Sequence, residues 1–165
     1  VDVVDAAALE LLLAEILRDR VMEVVGSHIS LPAKVVMVDH GTPVVEVNMV
    51  RRAVAKQLGK CLSKPSFVVQ ECSMERREGR EFDFNEPLLE DLLQEPELGD
   101  SVIVSPLFFS KGRHAGPGGD IDTICTTSAA HPLFLANPIG LHPNLVKLLV
   151  QRFHEALPRE VLYTN

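Results

Sequence analysis

The 165-residue sequence predicts an α/β layered fold built on a mainly parallel sheet of four strands flanked by helices. Two observations carry this prediction. Short apolar runs alternate along the chain with longer amphipathic segments, which is the pattern of a repeated strand and helix. One of the runs, 102–109, is apolar nearly throughout, as expected of a strand that is covered on both faces. A chain of this length is expected to form one domain with a sizeable core.

The chain opens with a predicted helix over residues 5–25, followed by a first strand over 34–38. The apolar face of the helix consists of Leu9, Leu12, Leu13 and Ile16. Gly26-Ser27 and Pro32 are expected to end the helix, and a β-branched run then predicts the strand. Because residues 11–18 resemble residues 145–152, we interpret 1–30 as an N-terminal helix and linker, with the end of a preceding module as one origin for it, and 31–165 as the α/β module.

A second helix and a second strand follow. Thr42 is expected to cap the helix, with Pro43 at its first position, where the missing N–H does no harm. The predicted apolar face of this helix consists of Val47, Val50, Val54 and Leu58. Residues 67–70 are predicted to form the second strand, and residues 73–86 a highly charged loop.

The second half of the chain continues the pattern. Asn85-Glu86-Pro87 predicts a helix start leading into the leucines at 88–93. A third strand is predicted over 102–109, a helix over 120–127 and a fourth strand over 133–136. Pro143 is expected to open the last helix, whose predicted core stripe consists of Leu145, Leu148, Leu149 and Phe153.

The net charge and the cysteine pattern limit the partners that the protein can bind and the compartment in which it is expected. The net charge of −7 argues against a general binder of nucleic acid or of anionic membranes, because both need a basic face. No apolar run is long enough to span a bilayer. Three cysteines without CxxC spacing disfavour a disulfide framework or a structural zinc site. We therefore expect a cytoplasmic protein, or a plastid one if its source is eukaryotic.

Two histidines occupy equivalent places, each just after a predicted buried strand. His40 ends the run 34–40, and His114 lies in the glycine-rich loop 110–120 after the third strand. If the two strands are parallel neighbours, both imidazoles lie at the carboxyl ends of the strands, where open α/β sheets bind ligands. Gly41 and Gly112 allow the backbone beside them to turn sharply. Two imidazoles at one cleft indicate metal handling, proton transfer or both.

Carboxylates follow the same strands. Glu75 lies just past the second strand, and its spacing fits equally well a side chain that reaches the cleft and a solvated loop charge. Glu86 is interpreted as a helix N-terminal charge. Asp120 and Asp122 are interpreted as residues of a helix start.

The remaining candidates carry weaker signals. His131 and His142 each precede a proline and are interpreted as turn residues, with a place at the border of the cleft as the alternative for His142. Cys72 ends a predicted strand without a motif that would mark it as a nucleophile, so we interpret it as a buried structural thiol.

Short motifs follow one another from about residue 33 to residue 157. They are Asp39-His40-Gly41-Thr42, Met74-Glu75, Glu86-Pro87, Pro106-Leu107-Phe108-Phe109, Gly112-Arg113-His114, Asp120-Ile121 and Pro138-Ile139-Gly140-Leu141-His142. In this order and spacing they resemble the class II chelatases of tetrapyrrole biosynthesis, in particular the sirohydrochlorin cobaltochelatase and ferrochelatase group.

The chain departs from the pattern of that family in four places. Thr42 replaces the usual serine and keeps its hydroxyl, and Asp39 stands where a small residue is commoner. An insertion separates Met74-Glu75 from Glu86-Pro87, and residues 115–119 lengthen the loop after the second histidine. The two longer changes are expected to reshape the rim around a tetrapyrrole, so they bear on the substrate more than on the type of reaction.

The resemblance implies a chelatase-like three-layer module that inserts a divalent metal, Co²⁺ or Fe²⁺, into sirohydrochlorin or a related tetrapyrrole without ATP, in cobalamin or siroheme biosynthesis. The metal is then a substrate, and no organic cofactor is expected. The resemblance also implies that His40 and His114 are metal ligands and bases, assisted by Glu75. Such modules occur as dimers or as two fused copies, so a homodimer or one half of a two-module chain is expected.

The implied substrate carries many carboxylates, which need cationic partners. Lys111 and Arg113 are the candidates for this pairing. Arg76 and Arg77 are further candidates, for which we favour simple solvation.

Two other functions stay open at the level of sequence. The first is a non-catalytic module that binds metal or dimerises and leaves activity to a partner. The second is a small hydrolase or transferase that uses Cys72 or Thr42 as its nucleophile.

Overall fold

A computed structural model of the chain describes residues 6–28, 31–62, 66–98, 101–130, 133–140 and 142–156. Within these ranges the chain forms α1 (Ala6–His28), β1 (Ala33–Asp39), α2 (Val45–Cys61), β2 (Phe67–Ser73), α3 (Leu89–Leu92), β3 (Val102–Pro106), α4 (Gly112–Ala115), α5 (Asp120–Ser128), β4 (Leu133–Leu135) and α6 (Pro143–Ala156). Two short 3₁₀ helices, Arg80–Asn85 and Pro96–Leu98, lie between β2 and β3.

The four strands form one sheet in the order β2-β1-β3-β4, and every neighbouring pair is parallel. The β1 and β3 strands occupy the two central positions and are almost entirely buried, which matches their continuous apolar sequences. The predicted α/β class with a parallel four-stranded sheet is therefore confirmed.

Helices cover both faces of the sheet and so complete three layers. On one face α1, α2 and α6 pack against the sheet around the buried side chains of Ile16, Leu58 and Leu148. On the other face α3 and α5 pack around Leu92 and Ile121. Burial of these two apolar clusters is the main source of stability for a fold of this kind.

The order of the strands creates a switch point between β1 and β3. From β1 the chain passes to β2 on one side, and it then crosses to β3 on the other side of β1. The loops that leave the carboxyl ends of β1 and β3 therefore run in opposite directions and leave a crevice between them, which is where ligands bind in open α/β sheets.

Several predicted boundaries are corrected by the structure. The helix predicted to end at Gly26-Ser27 continues to His28, because one glycine in a helix costs only about 1 kcal/mol, which packing along the same helix can offset. The third strand ends at Pro106 instead of 109. The helix predicted to start at 85–87 begins at Leu89 and is four residues long.

The start and the inward face of α2 also differ from the prediction. The helix begins at Val45 with Val44 as its capping residue, so Pro43 is not its first residue. The Thr42 hydroxyl accepts a hydrogen bond from the Val44 N–H at 3.1 Å, before the helix begins. Val47 and Val50 were predicted to face the core but are 53% and 39% exposed.

The last helix carries two apolar stripes, and only one of them faces the core. Leu145 and Leu148 are buried as predicted, whereas Leu149 and Phe153 are 57% and 64% exposed. Together with Val146 and Val150 they form an exposed apolar stripe at helical spacing. Sequence periodicity could not decide between two adjacent stripes because both have the same spacing.

Among the residues that the structure describes, no helix combines the length and the apolar character that crossing a membrane would need.

Candidate functional site at the strand ends

The two histidines predicted from strand ends lie side by side. His40 follows β1 directly, and His114 lies in α4, a single helical turn within the loop after β3. Their ring centroids are 4.8 Å apart and the rings stand nearly perpendicular, at 81°. Phe108 lies 6.4 Å from His40 and 6.3 Å from His114 between ring centroids. The switch point of the sheet thus brings two imidazoles into contact beside an aromatic ring.

Glu75 reaches the same place from the end of β2. Its Oε1 lies 3.5 Å from His40 Nε2, and its backbone N–H donates to the His40 carbonyl at 3.2 Å. Both side chains are about half exposed or more, at 47% for His40 and 62% for Glu75. Of the two interpretations left open by the sequence, the geometry therefore favours a side chain at the cleft over a free loop charge.

The turn that carries His40 depends on Gly41. This residue has φ of +93°, in the region that L side chains rarely adopt. A Cβ atom there would overlap the Glu75 carbonyl oxygen. Glycine is thus required both for the turn and for the close approach of the β2 end to the His40 loop.

His114 is paired with a second carboxylate, and the sequence analysis did not foresee this pair. Asp120 lies in the first turn of α5, as predicted, and its Oδ2 is 2.6 Å from His114 Nδ1. Because a carboxylate only accepts, the shared proton lies on Nδ1 and leaves the lone pair of Nε2 for a metal ion or a proton. The sequence signal that could have indicated this pair is the spacing of six residues between His114 and Asp120, across a glycine-rich loop that can bring them together.

A buried cation supports the loop that carries His40 from the interior of the fold. The sequence analysis did not predict this cation. Arg51 in α2 is 1% exposed. Its guanidinium forms ion pairs with Glu71 and, at 3.5 Å, with Asp39, the residue before His40, and it donates to the hydroxyl of Ser73. The signal in the sequence was an arginine at a helical position, three residues before Val54, that should face the core.

The cations proposed to bind substrate fall into two groups. Lys111 and Arg113 are exposed, and the Arg113 guanidinium lies 3.8 Å from Asp120. Arg76 instead binds Glu86 at 2.5 Å. Glu86 was interpreted as a helix N-terminal charge; it precedes the helix by three residues and serves as the partner of Arg76.

Arg77, the fourth cation, is exposed and lies over the ring of Phe82 at 6.0 Å from its centroid. Of these four cations, Lys111 and Arg113 are the two that lie within three residues of His114 along the chain.

His142, whose side chain the structure describes, does not join this site. His142 accepts a hydrogen bond from the Asn144 N–H at 3.2 Å and pairs with Asp19 of α1 at 3.3 Å, so it acts in the turn before α6. The prediction for His131 lies outside the described residues.

The nucleophiles considered above are poorly placed for attack. Burial raises the pKa of the Cys72 thiol well above its ordinary value, which suppresses the reactive thiolate. Cys125, also buried, has its pKa raised to about 12 for the same reason. The Thr42 hydroxyl accepts the Val44 N–H, and among the described residues no hydrogen bond joins it to a side chain that could serve as its general base.

Two surface grooves of the described chain lie away from the histidines. One, of about 560 Å³, lies between α5 and β4, and the other, of about 680 Å³, lies between α2 and β2. Neither is lined by His40, His114 or Glu75. Within the described part of the chain, no three His, Cys, Asp or Glu side chains are grouped so that they could hold a metal ion.

Comparison with known proteins connects this geometry to a family. The model of the CbiX family matches residues 34–156, which span the sheet, both histidines, Glu75 and Asp120. Searches of curated proteins and of solved structures gave no significant match. The chain therefore belongs to the CbiX family, the class II chelatases that act on sirohydrochlorin-like tetrapyrroles with a divalent metal as substrate.

Proposed function

We propose that this chain inserts Co²⁺ or Fe²⁺ into sirohydrochlorin or a closely related tetrapyrrole, without ATP or an organic cofactor, in cobalamin or siroheme biosynthesis in the cytoplasm or a plastid. The observation that carries the proposal is the contact between the imidazoles of His40 and His114, 4.8 Å apart at the switch point, with a carboxylate beside each ring. Imidazole binds both metals and also accepts protons near neutral pH.

The reaction exchanges one divalent ion for two pyrrole N–H protons, so the site must handle metal and protons together. His114 is suited to hold the incoming ion, because Asp120 keeps the proton on Nδ1 and the lone pair on Nε2. His40 is suited to accept a pyrrole proton, because a proton on Nε2 would be stabilised by the Glu75 carboxylate 3.5 Å away. Glu75 can then pass that proton to solvent, since its side chain is 62% exposed, and this returns His40 to the neutral form that accepts the second pyrrole proton by the same route.

Exposed cations close to His114 along the chain suit the carboxylates at the periphery of the substrate. Sirohydrochlorin carries carboxylates around its ring, and Lys111 and Arg113 are exposed within three residues of His114. The Arg113 side chain is 85% exposed, and its ion pair with Asp120 is long, at 3.8 Å, so its guanidinium is suited to a bidentate carboxylate pair. We assign these two residues to substrate binding.

We further propose that a second module covers the histidines, either in a homodimer or in a longer chain of two modules. His40 and Glu75 lie on an open surface, where water would compete with the metal and with the macrocycle. The exposed stripe of α6 offers an apolar surface for the partner. In the two-module case, residues 1–30 are the end of a preceding module whose helix α1 packs on the sheet of the second one, formed by 31–165.

The proposal is tested by mixing the protein with sirohydrochlorin and either Co²⁺ or Fe²⁺ under anaerobic conditions. We expect the absorbance spectrum of the tetrapyrrole to convert to that of the metal complex faster than in the uncatalysed control. Comparing initial rates for the two ions identifies the preferred metal. Tight Co²⁺ binding in a calorimetric titration without any faster conversion would instead support a non-catalytic metal-binding module.

The assembly is tested by placing a charge on the α6 stripe. Leu149→Glu is expected to shift a dimer to monomer in sedimentation velocity, because a charge buried in an apolar interface cannot be solvated. Gln151→Glu adds the same charge on the same helix at an exposed position outside the stripe and serves as the matched control. A dimer that persists in Leu149→Glu, or a wild-type chain that is monomeric at all concentrations, contradicts a homodimer through this stripe.

A further inference from the structure

The inserted segment, residues 76–85, is the part of the chain whose role the motifs left unexplained. The side chain of Arg76 makes contacts along the segment. It pairs with the carboxylates of Asp83 and, just after the segment, Glu86, and it donates to the Gly79 carbonyl at 3.1 Å. The segment ends in the 3₁₀ helix Arg80–Asn85. It is thus a folded loop with several internal contacts, and its last helical residue is fully buried.

That buried residue, Asn85, holds the backbone of the His40 loop. Its Oδ1 accepts the Thr42 N–H at 3.0 Å, and its Nδ2 donates to the Thr42 carbonyl at 2.9 Å. The same amide nitrogen donates to the Phe82 carbonyl at 3.0 Å, within the inserted segment. One side chain therefore fixes the peptide groups on both sides of Thr42 relative to the insertion.

Thr42 lies two residues after His40, and the residue between them is the glycine with positive φ. Gly41 has its N–H bound by Asp39 Oδ1 at 3.1 Å, so the loop is held from the strand side as well. Without a restraint on the Thr42 side, a glycine can adopt many backbone conformations. Each of these would move the His40 ring relative to Glu75 and His114.

Asn85 is itself anchored to the body of the fold. The Arg51 guanidinium donates to the Asn85 carbonyl at 3.0 Å and to the Phe84 carbonyl at 3.4 Å. Arg51 is also paired with Asp39, so one buried cation joins α2, the end of β1 and the end of the insertion. The loop that carries His40 is therefore held on one side by Asp39 and on the other by Asn85, and Arg51 binds both of these residues.

We propose that Asn85 is a positioning residue for His40, and that the inserted segment serves to place its amide against Thr42. Asn85 acts through hydrogen bonds to the Thr42 backbone, and its side-chain hydrogen bonds in the described structure go to groups other than the His40 imidazole. The effect on catalysis rests on the proposed function, whereas the effect on the position of the ring does not. The two can therefore be measured separately.

The experiment compares Asn85→Ala with wild type in two readouts. The first is the nuclear Overhauser effect between the imidazole protons of His40 and His114, which we expect to disappear, with Thr42 amide exchange faster by about 10-fold or more. The second is the rate of Co²⁺ insertion into sirohydrochlorin. We expect kcat to fall by about 10- to 100-fold, with KM for the tetrapyrrole changed by less than about 2-fold, because misplacement of a reacting group by about 1 Å has this effect.

Two further variants separate positioning from general loss of stability. Leu62→Ala removes a buried side chain at the far end of α2 and should lower the melting temperature while leaving the Overhauser effect and kcat unchanged. Asn85→Asp keeps the acceptor for the Thr42 N–H but sets a carboxylate oxygen against the Thr42 and Phe82 carbonyls, so it should lose the Overhauser effect and kcat at least as strongly as Asn85→Ala.

An unchanged Overhauser effect and unchanged Thr42 exchange in folded Asn85→Ala would overturn the inference, whatever its activity. If the ring contact is lost and insertion continues at the wild-type rate, the positioning of His40 by Asn85 is supported and the proposed catalytic role of His40 is wrong.

Discussion

Replacing His114 with alanine is expected to lower kcat for metal insertion by about 100-fold or more, since a positioned group that accepts protons or holds the reacting ion contributes about 10²- to 10⁴-fold. The same loss is expected for His40→Ala. Because residues that act as a unit are not additive, the double variant should lose little more than either single variant. Stopped-flow absorbance of sirohydrochlorin with Co²⁺ measures all three rates.

The control for these variants is another histidine of the same chain. His142 lies outside the site, where it accepts the Asn144 N–H and pairs with Asp19. His142→Asn keeps an acceptor for that N–H and should insert metal at the wild-type rate. If His40→Ala and His114→Ala match His142→Asn in rate, the assignment of the histidines is wrong.

The largest effect on stability is expected at Arg51. Arg51→Met keeps much of the apolar stem but removes the charge that pairs with Glu71 and Asp39. Breaking a buried pair by removing one partner typically lowers the free energy of unfolding by about 3–5 kcal/mol. Here Asp39 and Glu71 would lose the buried cation between them, and Glu71 would keep the longer contact with Arg52 at 3.9 Å. Urea unfolding followed by circular dichroism measures the change.

A surface ion pair provides the comparison for Arg51. Arg18 binds Asp19 at 2.7 Å, with both side chains more than a third exposed. Arg18→Met should therefore change stability by less than about 1 kcal/mol. In addition, Glu71→Gln should recover part of the loss when combined with Arg51→Met, as expected for residues in direct contact. Equal effects of Arg51→Met and Arg18→Met would show that the buried pair contributes no more than a surface one.

The strands and the placement of the two histidines could be predicted because the signals are local. Residues 34–38 and 102–106 are apolar and rich in β-branched side chains, and burial on both faces of a parallel sheet selects that composition. Once two parallel strands are adjacent, residues that follow them must meet at one edge. The positions of His40 and His114 followed from this rule, without knowledge of any contact between them.

Apart from element boundaries, the predictions that failed concern helix faces where two solutions have the same local pattern. The exposed stripe of α6 has the same helical spacing as the buried one, and Val47 and Val50 have the same apolar character as the buried Val54. The choice between them depends on which face meets the sheet and on what other molecule covers the rest. A pattern of hydrophobicity along one chain does not contain that information.

By itself, the sequence determined the class of fold, the strands and the presence of two imidazoles near one edge, since these follow from local periodicity and from the topology of parallel sheets, and it left the position of Glu75 open. Only the tertiary structure decided what supports that site. Asp120 reaches His114 across a loop, and Arg51 and Asn85 hold the His40 loop from 9 to 45 residues away along the chain. Hydrogen bonds between distant polar groups leave no periodic trace in the sequence, because their partners are set by how the chain folds back on itself.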